Sequence, residues 1–359
     1  MRNGIYEAKP RTSISLCVGE GDGRRLMIDA RELMSDDGAV VAMLCSHLGL
    51  GGGGEPVVAP LTLREWNALE RKIHDSEIKY PRSLLGLSAE ELANRLGISV
   101  AEADRISQLV ARGGSLALEL EHLAASGVWC VTRVDDAYPA RLRNTLKHQA
   151  PPVLFGAGEF EIFRKPSVAI VGSRNLDESG ESFARSLGAL CAGHSVAVVS
   201  GGARGTDRVA MQAALDAGGH AVSILADSLV RTIRQPEVRE FVAAGRLVLL
   251  TPYRPDNGFS VGAAMGRNKI IYGASDYSVV VSSDYQKGGT WAGAVETLTA
   301  GWCPVFVRSS ANAAPGNGEL INKGAFPLAD GELEGVANIV EWMKEHAGSR
   351  PQQGELLLA

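Results

Sequence analysis

From Ser167 onward the sequence alternates short, unbroken runs of β-branched and aliphatic residues with stretches of helical periodicity. This alternation limits the fold more than any other feature. Ser167-Val168-Ala169-Ile170-Val171 reads as a strand ending at Gly172, and the segment after it puts Phe183, Leu187, Leu190 and Cys191 on one helical face. Val196 to Val199 is the next strand, followed by a helix from Thr206 to Ala217. Ala221 to Leu225, Leu247 to Leu250, Tyr277 to Ser282 and Pro304 to Val307 continue the series. Strands that are apolar on both sides and separated by helices belong to a mostly parallel sheet covered on both faces. The expected fold class is therefore α/β, an extended Rossmann-like, doubly wound sheet over residues 131–330.

In such a sheet ligands bind where the carboxyl ends of strands lead into helix N-termini. Three loops there have chemistry suited to an anion. Gly172-Ser173-Arg174 combines close backbone approach, a hydroxyl and a forked cation. Ser200-Gly201-Gly202-Ala203-Arg204-Gly205-Thr206-Asp207 offers amides at a helix start. Gly288-Gly289-Thr290, after Lys287, again precedes a helix. A fourth segment, Arg267-Asn268-Lys269, sets two cations and an amide just before an apolar stretch. Each feature also has a plain structural reading, since glycine serves tight packing and charge runs serve solvated faces. Asp207 is expected to cap its helix or hold loop amides. The glycine spacing is not G-x-G-x-x-G and no acid closes the second strand, so a dinucleotide site is not favoured.

Upstream, residues 62–130 read as a small helical domain. Thr62 with Glu65, Ser88 with Glu91 and Ser99 with Glu102 each fit a capping box, and Gly97 makes a tight turn between two helices. Such helix pairs serve either as packing modules or as grips on a DNA backbone. Residues 1–61 have no assigned role: Arg24 to Ile28 suits a short strand, Val40 to Leu48 an apolar helix, and Gly51 to Gly54 a linker. Residues 331–359 read as a helix around Gly335 to His346 and a polar tail.

Composition narrows the function classes. Five separated cysteines without a C-x-x-C pair suit single buried thiols, and the scattered histidines do not support a metal site. There is no run of about 18 apolar residues and no secretory segment, so the expectation is a cytoplasmic protein that does not enter membranes. The net charge of −5 requires any nucleic-acid site to be a local patch. No cofactor is expected.

At these motifs the sequence resembles the DprA/Smf family of DNA-processing proteins. The matching residues are Val168 to Arg174, Val199 to Asp207, Arg267 to Ile271, Gly289-Thr290 and Glu319-Leu320-Ile321-Asn322-Lys323-Gly324-Ala325. Tyr138 to Leu142 and Pro151 to Gly156 look like the family's approach to its first strand. The resemblance implies a preceding helical domain of the SAM or helix-hairpin-helix kind, and a homodimer that binds single-stranded DNA and loads a RecA-type recombinase in natural transformation, with no catalytic step. Arg174, Arg204, Arg267 and Lys269 would contact phosphates. Gly172, Ser173, Ser200, Gly201, Gly202, Gly205, Thr206, Asn268, Gly288, Gly289 and Thr290 would form the amide and hydroxyl cradle. The family's Arg-Asn-Arg is Arg-Asn-Lys here, its Phe-Pro is missing before it, and no winged helix follows.

Two other functions stay open at this point. One is a regulatory partner or antitoxin in a toxin–antitoxin or phage-defence locus, paired with a toxin-like protein. The other is a nucleotide hydrolase resembling the lysine-decarboxylase-like phosphoribohydrolases, with Glu296 as its carboxylate. Trp291, Trp302 and Phe306 are expected in the core, and Tyr253, Tyr272 and Phe259 near the loop edge as stacking surfaces.

Overall fold

The structure, a computed structural model, describes residues 33–50 and 58–348. The strand expected at Arg24 to Ile28, the Gly51 to Gly54 linker and the tail beyond Gly348 lie outside the described residues.

Among the described residues five α-helices precede the sheet: α1 (Asp36–Cys45), α2 (Leu63–Asp75), α3 (Ala89–Leu96), α4 (Val100–Val110) and α5 (Gly113–Ala125). Their starts follow local chemistry. Thr62 and Ser88 each accept the N3 amide while Glu65 and Glu91 reach back to the cap, two full capping boxes. Ser99 accepts only from Glu102, so the third box is one-sided. Helix α1, left without a role by the sequence, is among the most buried, with Val40, Val41, Ala42 and Leu44 closed to solvent. It is tied to the sheet by Asp135, whose Oδ1 accepts the Ser35 amide (2.8 Å) and hydroxyl (2.6 Å).

The sheet elements are β1 (Trp129–Thr132), α6 (Ala140–Leu146), β2 (Val153–Ala157), β3 (Ser167–Val171), α7 (Glu178–Gly193), β4 (Ala197–Ser200), α8 (Thr206–Asp216), β5 (Ala221–Ile224), α9 (Leu229–Ile233), α10 (Pro236–Ala243) and β6 (Leu247–Thr251). They continue with α11 (Val261–Gly266), α12 (Asn268–Gly273), β7 (Tyr277–Val280), α13 (Gly288–Ala300), β8 (Val305–Ser309), α14 (Pro315–Asn322), β9 (Phe326–Ala329) and α15 (Ile339–Gly348). Among the described residues nine strands form one sheet in the order β1-β2-β6-β5-β4-β3-β7-β8-β9. From β6 to β9 every pairing is parallel; β1 and β2 extend the sheet antiparallel.

Both faces of the sheet are buried. On β3, Val168 and Ile170 join the core that includes Leu187 and Cys191 of α7, while Ala169 and Val171 join the one that includes Ile270 and Trp291. Trp291, Trp302 and Phe306 are core residues, as expected. Burial pushes the Cys191 and Cys303 thiols up to about 12, which suits inert packing. The chain winds outward from β3 in both directions, through β4, β5 and β6 on one side and β7, β8 and β9 on the other. The switch point therefore lies between β3 and β7. No helix among the described residues is long and apolar enough to cross a membrane.

Candidate nucleic-acid interface

Three loops leave the carboxyl ends of β4, β3 and β7, which are neighbours in the sheet. Hydrogen bonds knit them together. The Ser173 amide donates to the Ser282 carbonyl (2.9 Å), joining the β3 and β7 loops. The Thr206 amide (3.2 Å) and hydroxyl (3.1 Å) both donate to the Ser173 carbonyl, joining the β3 and β4 loops. Thr290 Oγ1 donates to the Gly172 carbonyl at 3.0 Å, and Ser200 Oγ to the Ile170 carbonyl at 2.6 Å. The hydroxyls of Ser200, Thr206 and Thr290 are thus spent on holding the loops, and only Ser173 keeps its hydroxyl proton to donate; its Oγ accepts the Asn175 amide at 3.1 Å.

The β4 loop is built around a buried acid. Asp207 Oδ2 accepts the amides of Gly201 (3.1 Å) and Ala203 (3.4 Å), the amide-holding role expected of it. Two of the cradle amides therefore point inward, while those of Gly202, Arg204 and Gly205 have no acceptor among the described residues. Gly205 has φ +86°, and a side chain there would press on the carbonyls of Ser173 and Arg174, so only glycine lets the two loops meet.

Arg267 differs from the expectation. Its side chain is 7% exposed, Nη1 donates to the Ile224 carbonyl at 2.6 Å, and Nη2 stands 4.0 Å from Asp207. The guanidinium lies against Gly201, where any side chain would overlap it. Arg267 therefore braces the β4 loop from beneath and does not project toward a ligand. The physical reason is its helical register: Arg267 shares a face with the buried Ile270 and Ile271. Desolvation pushes the Asp207 carboxyl above its ordinary range and the Arg267 guanidinium below its own. Asn268 is also turned inward, with Nδ2 donating to the Gly289 carbonyl at 2.9 Å.

The loops expose acids as well, Asp177, Glu178 and Asp284, but their cations stand apart from them. Arg174 and Arg204 are exposed, Lys269 is half-buried and Lys287 is exposed; none has a carboxylate partner among the described residues. Arg204 donates to the neutral Asn175 Oδ1 at 3.1 Å, and Arg174 lies 5.8 Å over the ring of Phe259. Phe259 is 54% exposed, whereas Tyr272 is buried and Tyr253 donates its hydroxyl to the Ala263 carbonyl, so of the three aromatics expected at the edge only Phe259 presents its ring. Arg208 was missed by the sequence reading. It is exposed beside Arg174 and Arg204, and its place four residues after Arg204, in the first turn of α8, was the available signal.

The arrangement can hold a polyanion by amides and guanidiniums. Among the described residues no group of His, Cys, Asp and Glu is placed to hold a metal ion. Glu296 lies on the exposed side of α13, six residues past Thr290, which carries it well around the helix from the loop.

Comparison with known proteins agrees with this architecture. The sequence model of the family described as DNA recombination-mediator protein A matches residues 129–337. The DNA processing protein DprA of Mycobacterium tuberculosis is 32% identical over 257 residues, 67% of this chain and 64% of that protein. That of Streptococcus pneumoniae is 29% identical over 161 residues, 43% of this chain and 54% of that protein. The chain thus matches less than two thirds of the length of these relatives. The crystal structure of the Streptococcus pneumoniae protein shares the fold at a TM-score of 0.54 and 20% identity, covering 76% of this chain and 97% of that one. With the family pattern matched over more than half of its length, the chain belongs to the DNA recombination-mediator protein A family, the DprA/Smf proteins.

Proposed function

We propose that this chain binds single-stranded DNA along the carboxyl edge of β4, β3 and β7, as a non-catalytic mediator of DNA processing and recombination. The observation that carries the reading is the set of Arg174, Arg204, Lys269 and Lys287, cations without carboxylate partners among the described residues, around loops whose outer amides have no acceptor among those residues. The DNA-processing names of the relatives point to DNA as the ligand. In this reading the phosphates supply the affinity and Phe259 offers a face to a base. The protein acts as a homodimer and passes its strand to a RecA-type recombinase, as in DNA uptake by transformation.

The test is competition between a single strand and a duplex of the same length and sequence for the purified protein. The single strand is expected to win at moderate salt, because a flexible strand can bring its phosphates and unpaired bases to the loops as a stiff duplex cannot. Equal binding of the duplex, or no binding of either, contradicts the proposal.

A further inference from the structure

Beside the loop edge is an open recess of 430 Å³ between the β3–α7 loop and the start of α8. Three guanidiniums line it, those of Arg174, Arg204 and Arg208, together with the Asn175 amide; Leu176 and Val209 supply apolar surface. Its one acid, Glu181, already pairs with Arg185 at 2.7 Å. None of the three arginines pairs with an acid among the described residues, and Arg204 has only the neutral Asn175 oxygen. The recess therefore carries close to three uncompensated positive charges.

Charge and size together select a ligand. An internal phosphodiester brings one negative charge, whereas a phosphomonoester brings about 1.5 to 2 at neutral pH and three acceptor oxygens. Guanidinium forks match those oxygens in pairs. The volume falls within the range of small-ligand pockets, about 300 to 1,000 Å³, enough for one nucleotide. The apolar pair gives a sugar or base something to lie against. We propose that this recess takes the phosphomonoester of a nucleotide, namely the terminal phosphate of the bound strand, with Arg208 as the residue that distinguishes an end from an internal position. This rests on the strand-binding reading above and adds end recognition to it.

The experiment measures the affinity of the full chain for oligothymidylates of one length bearing a 5′-phosphate, a 3′-phosphate or neither, with thymidine 5′-monophosphate as a separate probe. One phosphorylated end is expected to bind about tenfold tighter than the unphosphorylated strand, as one well-placed charged contact provides. That ratio should collapse toward one in Arg208→Ala, remain partial in Arg208→Lys and persist in Arg239→Ala, a same-charge change outside the recess. Equal affinity for the three oligonucleotides, or a ratio that survives in Arg208→Ala, overturns the proposal. Binding of thymidine 5′-monophosphate without an end preference keeps the phosphomonoester chemistry and overturns the strand end as its source. If no oligonucleotide binds, the strand-binding reading fails; the recess then stands or falls on the mononucleotide.

Discussion

At the scale of single residues, the centre of the site is a packed contact and a buried charge pair. Gly201 lies directly on the Arg267 guanidinium, so Gly201→Ala forces one of the two to move. The expected loss is about 1–3 kcal/mol, the usual cost of overpacking, read as a lower thermal midpoint. A midpoint equal to that of the wild type would mean the loop has slack that the packing denies. Asp207 makes a second prediction. Burial raises its pKa above the unfolded value, so the folded state holds the proton more tightly. Its contribution to stability is therefore full at low pH and falls as pH rises from the ordinary Asp range through the raised value. Asp207→Asn keeps an oxygen for the Gly201 and Ala203 amides and removes that titration. Wild-type stability relative to the variant should thus decline with rising pH in thermal melts; a constant or rising difference would contradict the buried, desolvated acid.

At the scale of elements, helix starts were legible and the antiparallel strands were not. Thr62 and Ser88 cap as their spacing with Glu65 and Glu91 dictates, because the capping box is a contact within four residues. The sheet strands from β3 to β8 were legible because they are apolar runs bounded by helices. Strands β1 and β2, no shorter than the legible ones, escaped the sequence reading because they lie outside the regular parallel alternation and are defined by antiparallel pairing, β2 with β6 far along the chain. The α2 cap also carries a testable charge. The Arg105 side-chain bond, followed by the Thr62 amide, lowers Glu65 to about 2. That stabilisation is present above pH 4.5 and is lost as pH falls toward 2, and it is small because Glu65 is 42% exposed. Glu65→Gln should flatten this acid limb of the stability curve; an unchanged limb would remove the cap from the account. Thr62→Ala should cost about 1 kcal/mol in chemical denaturation.

For the whole molecule, the doubly wound order sets three glycine-rich loops side by side, and their position was legible because each follows an apolar run. The direction of individual side chains was less so. Arg267 reads as a surface cation until its register with Ile270 and Ile271 is counted, and the hydroxyls of Ser200 and Thr290 find backbone acceptors in and just after β3, distant in sequence. In the proposed function, solvent-facing cations at this edge hold the phosphates of a single strand. The most direct test is the salt dependence of oligothymidylate binding for the wild type and for Arg174→Ala/Lys269→Ala. Four phosphate contacts predict a slope of log K against log salt of about −2.8, and losing two reduces it to about −1.4. A steep wild-type slope halved in the double variant is the predicted result; a slope unchanged by removing both cations would place the strand elsewhere and contradict the account.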